Sequence, residues 1–403
     1  MLKPYAENKL NILFYCQHSM GIGHLTRSFA ICDQLTALGE VTFLSGGELP
    51  KKWHGSRDRI KLVQMPALSM DAEGLLYTGE PGVSLDKTRA NRKHLLREAL
   101  LHEPPDILIV EMFPFGRKKF AFEILPMIEL LKQKNPQALV VCSVRDILVT
   151  RRRDQKKHDR VARERLNNYF DLVLVHSDPG YVRLELTFSE FTNLEIPVHY
   201  TGFVTPKAIA EVAQPSSSTG QVLVSVGGGR VGEQLLSMAL RAQPLLYKRL
   251  GLSMFLLTGP FLPEAAKKRL QLLGNNEGLR IEPYVEDLCG EMGRSDLSIS
   301  QCGYNTMMDV LLSGIPSIVV PYCEAGEDEQ LRRAQILHER GRLEVIHPDA
   351  LSVNKLLQQI EKMALETRYP IDADLRGARN SARLLQTRLE IQDRSRGVKR
   401  GFC

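Results

Sequence analysis

Long apolar runs are missing from this sequence. No hydrophobic stretch reaches the ~18 residues of a membrane-spanning helix, and the first strand-like run, Leu10 to Tyr15, is too short for a signal-peptide core. A chain that stays in the cytosol is expected. Cysteine pairs are missing too: the seven cysteines form no CxxC, and an odd number in apolar contexts argues for reduced thiols and against structural zinc. Charge of one sign is scarce. The 53 basic side chains exceed the 47 acidic ones by only +6, no footprint of a nucleic-acid binder. Low-complexity tracts and short repeats are absent. What is there is ordinary soluble composition, 43% hydrophobic and 25% charged, which excludes collagen, coiled coil and wholesale disorder. At ~100–200 residues per domain, 403 residues favour two domains, each able to bury a core.

Short β-branched runs alternate with amphipathic stretches, the pattern of βαβ units and parallel sheets. Strands are expected near Leu10–Tyr15, Val41–Leu44, Lys61–Met65, Asp106–Glu111, Ala138–Ser143, Leu172–Val175 and Val198–Gly202. The run Gln214-Pro215-Ser216-Ser217-Ser218-Thr219-Gly220 can neither continue a helix nor build a core. A second series follows at Gln221–Val226, Met254–Leu257, Leu279–Ile281, Leu297–Ser300, Ser317–Val320 and Leu343–Ile346. The division is therefore a first domain over 1–205, a linker over 206–220, a second domain over 221–375, and a helix with a tail over 376–403 that can pack back on the first domain. Two such α/β domains in tandem put the carboxyl ends of both sheets at a shared cleft.

Both halves open with an apolar strand running into glycines, Gly21-Ile22-Gly23-His24 in the first and Gly227-Gly228-Gly229-Arg230 in the second. Such a turn lets backbone N–H groups and a helix N-terminus approach an anion, phosphate being the natural guest, although a tight connection needs glycine as well. Neither loop continues into Gly-Lys-Ser/Thr, and neither fits GxGxxG, so Walker-type and simple dinucleotide sites lose weight. The most informative stretch runs from Ser300 through Gln301-Cys302-Gly303-Tyr304-Asn305-Thr306 to Asp309, then Gly314-Ile315-Pro316, Pro321 and Glu329-Gln330. Asn305 or Thr306 can cap a helix starting there. Asp309, three and four residues on, shares their face, where its carboxylate can accept from both hydroxyls of a ribose or simply complement the helix dipole.

This stretch resembles the donor-sugar-nucleotide motif of GT-B glycosyltransferases, and the chain as a whole is similar to the MurG-like, family-28 branch. The resemblance rests on Gly303, Asn305, Thr306, an acid at 309, Gly314, Pro316, Pro321 and the acid-Gln pair 329–330; in the first half it rests on Gly21, Gly23 and His24. It implies an α/β GT-B fold, two Rossmann-like domains facing a central cleft. It further implies that Tyr284 and Val285 present backbone groups to the nucleobase and that Asp309 holds the ribose. Gly303, Asn305 and Thr306 would cradle the diphosphate, Glu329 and Gln330 would meet sugar hydroxyls, and Gly228, Gly229 and Arg230 would form a second phosphate loop. The sequence departs from the family where Asp309 replaces a common Glu, where Gln301 replaces the His of plant-type enzymes, and where four extra residues separate Pro321 from Glu329.

Inverting transfer needs a base for the acceptor hydroxyl and stabilisation for the leaving diphosphate. His24 is the leading base, its alternatives being an anion contact or a packed helix-capping histidine; Glu111 and Asp146, at strand ends aimed at the same cleft, can orient it, act as base themselves, or cap helices. No cofactor and no essential metal is expected, since helix termini and Arg230 supply positive charge and Asp372-Ala373-Asp374 fits helix capping better than a metal. The co-substrate would be a UDP-linked or similar sugar, and the acceptor a small molecule, glycan or lipid. Met65-Pro66-Ala67-Leu68-Ser69-Met70 and Phe113-Pro114-Phe115 can line an apolar acceptor site or serve as packing. The basic series Arg145, Arg151, Arg152, Arg153, Lys156, Lys157, Arg160, Arg163 and Arg165 reads either as a solvated helix face or as a peripheral contact with the inner face of an anionic membrane. A nucleotide-sugar hydrolase or epimerase on the same fold, and a non-catalytic sugar-nucleotide binder, are the competing readings.

Overall fold

Each half of the chain builds one parallel sheet. The computed structural model describes residues 9–18, 23–49, 59–70, 75–80, 82–150, 154–205, 219–274, 276–323 and 328–395. The first half contains β1 (Leu10–Cys16), β2 (Gly39–Ser45), β3 (Ile60–Gln64), β4 (Leu68–Met70), β5 (Leu76–Thr78), β6 (Ile107–Glu111), β7 (Leu139–Arg145), β8 (Leu172–His176) and β9 (Val198–Tyr200). Its helices are α1 (Gly23–Leu35), α2 (Leu85–His102), α3 (Ala121–Lys134) and α4 (Gln155–Tyr169). The second half contains β10 (Gln221–Ser225), β11 (Ser253–Leu257), β12 (Leu279–Glu282), β13 (Leu297–Ser300), β14 (Ser317–Val319) and β15 (Glu344–Val345). Its helices are α5 (Glu233–Leu250), α6 (Glu264–Gln271), α7 (Leu288–Arg294), α8 (Tyr304–Ser313), α9 (Glu329–Glu339), α10 (Val353–Met363) and α11 (Gly377–Ser395).

The first sheet is ordered β3-β2-β1-β6-β7-β8-β9 and the second β12-β11-β10-β13-β14-β15. Both are Rossmann orders, in which chain direction across the sheet reverses beside the first strand, and ligands bind outside the carboxyl ends at that reversal. Every strand expected from the sequence is present, with ends moved by one or two residues. The antiparallel pair β4·β5 was not legible, because three-residue strands are too short to show alternation.

Strands covered on both faces read as continuous apolar runs, as β6 does with all five residues buried. Leu13, Tyr15, Leu108 and Val110 face one side of the first sheet; Ile12, Phe14, Ile107 and Ile109 face the other. That second side is closed by α11, whose Ala378, Ala382, Leu385 and Leu389 recur at helical spacing. The chain thus crosses to the second sheet and returns, and an isolated bridge pairs Val204 with Arg376 where the crossings meet. The linker at 206–220 lies almost wholly outside the described residues. Ile147, Tyr181, Val182 and Phe203 of the first half join Tyr304, Met308, Leu311 and Leu375 in one apolar cluster, so the halves share packing as well as polar contacts.

Candidate active site

At the reversal point of the first sheet, β1 runs out toward α1 and β6 ends at Glu111. Gly21 lies outside the described residues. Gly23 opens α1, and His24 in its first turn points back over the sheet, where its Nδ1 lies 2.6 Å from Glu111 Oε1. Glu111 is fully buried, while the His24 side chain keeps 21% of its surface accessible. Arg27, one turn further along α1, pairs with the same Glu111 oxygen and comes within 3.4 Å of His24 Nδ1. Burial disfavours charge on His24, as do the cations Arg117 and Arg27, and outweighs the pull of Glu111, lowering its pKa to about 3. Burial alone would raise Glu111, but His24, Arg27 and Arg117 outweigh it and hold the carboxyl at about 2. The pair is therefore a carboxylate beside a neutral imidazole. An anionic oxygen on Nδ1 selects the Nδ1–H tautomer, which leaves the Nε2 lone pair able to accept a proton.

The next residues are held in an unusual backbone: Met112 and Arg117 have φ of 62° and 57°, the left-handed region that non-glycine residues seldom occupy. Phe113 and Phe115 between them are buried in the core, as are Met65 and Leu68. These four apolar residues serve as packing, while Pro66, Ala67, Ser69 and Met70 are only partly buried.

At the reversal point of the second sheet, β10 leads into Gly227–Arg230 and β13 into Gln301–Thr306. Gly303 is the N-cap of α8, and no side chain caps it. The expectation that Asn305 or Thr306 caps this helix is corrected: both lie inside its first turn, two and three residues past the N-cap Gly303. The N-terminal amides of α8 are thus offered to the cleft, with the dipole behind them. Asp309 sits on the second turn, largely buried. Tyr284 and Val285 occupy the loop from β12 to α7, with Tyr284 41% exposed. Gly228 and Gly229 form the turn after β10, and Arg230 reaches out from it, exposed.

The two reversal points face each other. Asn305 Nδ2 lies 3.4 Å from Gly23 O, and the Arg27 guanidinium stands 5.3 Å from the Tyr304 ring centroid. The Tyr304 hydroxyl donates to His176 O and accepts from Val204 N, each at 3.0 Å.

Asp146 is drawn elsewhere. Both its oxygens accept from Arg333 of α9, at 2.7 and 2.9 Å, with both side chains essentially inaccessible. Asp146 does not meet His24; its carboxylate is taken up by the deeply buried Arg333, and Glu111 is the acid that reaches the imidazole. Glu329 pairs with Arg145, and Asp328 accepts from Thr150 N and Oγ1, so the amino end of α9 is clamped to the end of β7. Gln330 Oε1 accepts from Cys302 N and Tyr322 N at 3.0 and 3.1 Å, tying the loop after β13 to the one after β14.

The basic series does not form one face. Arg145 belongs to the clamp, Arg163 pairs with Glu164 and Glu190, Arg165 stacks on Phe113, and Lys156, Lys157 and Arg160 are exposed on α4; residues 151–153 lie outside the described residues. Asp372 binds Tyr181 and Arg342, and Asp374 holds Arg376 and Asn380 just before α11. No described helix is long and apolar enough to cross a membrane. Arg27 and Arg333 escaped the sequence reading. Arg27 stands three residues after His24 and Arg333 four after Glu329, helical spacings that carried the signal.

Residues 222–389 match the glycosyltransferase family 28 C-terminal domain. Over 158 residues the chain is 27% identical to the UDP-N-acetylglucosamine--N-acetylmuramyl-(pentapeptide) pyrophosphoryl-undecaprenol N-acetylglucosamine transferase of Shewanella sp. (strain MR-4), a match covering 39% of this chain and 44% of that relative. The chain thus spans under half the length of the curated relatives it matches. Among solved structures, the glycotransferase of kitacinnamycin superposes with TM-score 0.62 at 14% identity, covering 95% of this chain and all of the other. MurG of Acinetobacter baumannii superposes with TM-score 0.56 at 15% identity, covering 94% and 99%. With its two Rossmann-ordered sheets meeting at their reversal points, the chain has the GT-B fold, and residues 222–389 of its second half match the glycosyltransferase family 28 C-terminal domain.

Proposed function

We propose that this protein is an inverting glycosyltransferase, needing no metal, that moves a sugar from a nucleoside diphosphate, most simply UDP, to a hydroxyl of an acceptor held by the first half. The observation that carries the reading is a neutral His24, held at Nδ1 by Glu111, directly across from the uncapped amino end of α8. In this reading the nucleobase lies by Tyr284 and Val285, the ribose at Asp309, and the diphosphate against Gly303, Asn305 and Thr306. Gly228, Gly229 and Arg230 approach the diphosphate from the second turn.

His24 Nε2 takes the proton of the acceptor hydroxyl as that oxygen bonds to the anomeric carbon. The bond from that carbon to the diphosphate breaks, and its electron pair leaves with the diphosphate. The α8 dipole and Arg230 meet the charge that develops there, the part played by a cation in other transferases. Glu111 stabilises the imidazolium that forms. In this reading Glu329, paired with Arg145, and Gln330 meet the sugar hydroxyls.

The test combines ligand-induced melting shifts with turnover. UDP at ~100 times its Kd should stabilise the wild type by about 2.7 kcal/mol. Asp309→Ala should lose that shift, whereas His24→Ala should keep it and release UDP from the matching UDP-sugar about 10²–10⁴-fold more slowly in the presence of acceptor. A melting shift that survives in Asp309→Ala sinks the donor site, and full release with water alone makes the protein a hydrolase.

A further inference from the structure

Two glycine turns lie side by side at the carboxyl end of the second sheet, Gly227–Arg230 after β10 and Thr258–Phe261 after β11. They approach more closely than any side chain allows. A Cβ on Gly229 would stand 2.4 Å from Thr258 O, and one on Gly259 would stand 2.4 Å from Gly229 N. Both glycines have positive φ, 83° and 80°, so only glycine serves at either place. Phe261 N donates to Gly228 O at 2.9 Å, and Gly229 N to Val226 O at 3.2 Å, closing the two turns into one unit.

That unit carries an exposed pair. The Phe261 ring is 37% exposed, and the Arg230 guanidinium carbon sits 5.3 Å from its centroid. Among the described residues Arg230 meets no hydrogen-bond or carboxylate partner, and the Phe261 ring is its neighbour. A carboxylate would hold an arginine by consuming its N–H groups. A ring face holds the guanidinium through its π surface and leaves all five N–H groups, which lie in the guanidinium plane, free for an anion. Fixing a long, rotamer-rich side chain before the ligand arrives removes part of the ordering cost of binding.

We propose that Phe261 is a positioning residue that presents Arg230 to the diphosphate of the donor. The proposal rests on the donor-site reading given above and adds to it the group that aims the arginine. Phe261 itself touches neither base nor phosphate; it acts through Arg230.

The experiment measures binding of UDP and of uridine, by calorimetry, to the full-length wild type, Phe261→Leu, Phe261→Trp, Arg230→Ala and the Phe261→Leu/Arg230→Ala double variant, with Asp309→Ala as a reference. Phe261→Leu should weaken UDP about 2–5-fold, the range of an exposed cation–π contact, and leave uridine unchanged. Phe261→Trp should retain wild-type affinity. In the Arg230→Ala background Phe261→Leu should add no further loss. Equal losses for UDP and uridine, or an undiminished loss in the Arg230→Ala background, overturn the proposal, since the ring would then act on the ligand directly. Intact UDP binding in Arg230→Ala, with loss in Asp309→Ala, removes the proposal and leaves the donor site standing; intact binding in both removes the donor site as well.

Discussion

At the residue scale, the chemistry depends on a few ionisable groups kept out of water. Burial holds His24 and His176 at about 3, each against an ordinary value of 6.5, and Glu111 lies at about 2 against 4.5 because its cationic neighbours outweigh its burial. All three folded values lie below the unfolded ones, so as pH falls the unfolded chain takes up protons first. Their contribution is fully present above about pH 6.5 and is lost on descent toward 3. The melting temperature should therefore stay nearly level from pH 7.5 to about 6.5 and fall from there to pH 4.5, and His176→Gln should flatten part of that slope. A melting temperature that is level over this interval would falsify the assignment of neutral buried histidines. His176 bonds Ser143 and Thr201 through its two ring nitrogens, at 2.8 and 2.9 Å, so charging it would also force one of these bonds to be remade.

Between elements, the decisive contact is α9 against the end of β7. Arg333 and Asp146 form a bidentate pair with almost no exposure, and Arg333 also donates to Cys302 O at 2.7 Å, so one guanidinium joins the two halves and the loop after β13. Removing one charge from such a pair is costlier than the pair itself is favourable. Asp146→Ala should destabilise the protein by about 3–5 kcal/mol in denaturant titration, by stranding Arg333. Asp146→Leu combined with Arg333→Met should recover most of that loss. A single substitution that costs under about 1 kcal/mol, the scale of an exposed pair, contradicts the buried clamp.

For the whole molecule, the order of the chain and the order of the domains differ. Helix α11 follows the second domain in sequence yet seals the first sheet through Ala378, Ala382, Leu385 and Leu389, packed beside α1. Leu385→Ala, at a fully buried position, should cost about 2–5 kcal/mol. Hydrogen exchange should show β1 and β6 of the first sheet losing protection. Loss confined to β10 and β13 would mean that α11 belongs to the second domain instead.

Much of this architecture was readable because period and punctuation are local. Apolar runs bounded by turn residues gave both strand series, and the glycines after Val226 marked the turn that stands at the second reversal point. The stretch from Ser300 to Gln330 likewise marked the half that matches the glycosyltransferase family 28 C-terminal domain, because tight turns and helix starts demand particular residues at fixed spacing. What only the tertiary structure decided is pairing across long separations. Glu111, not Asp146, meets His24; Arg27 joins them; Asp146 goes to Arg333; and Phe113, Phe115, Met65 and Leu68 go into the core. A carboxylate at the end of a strand looks the same in sequence whether it faces an imidazole or a guanidinium. Its role is set by which charge the folded chain buries beside it, a quantity that exists only once residues 87 or 187 positions apart have been brought together.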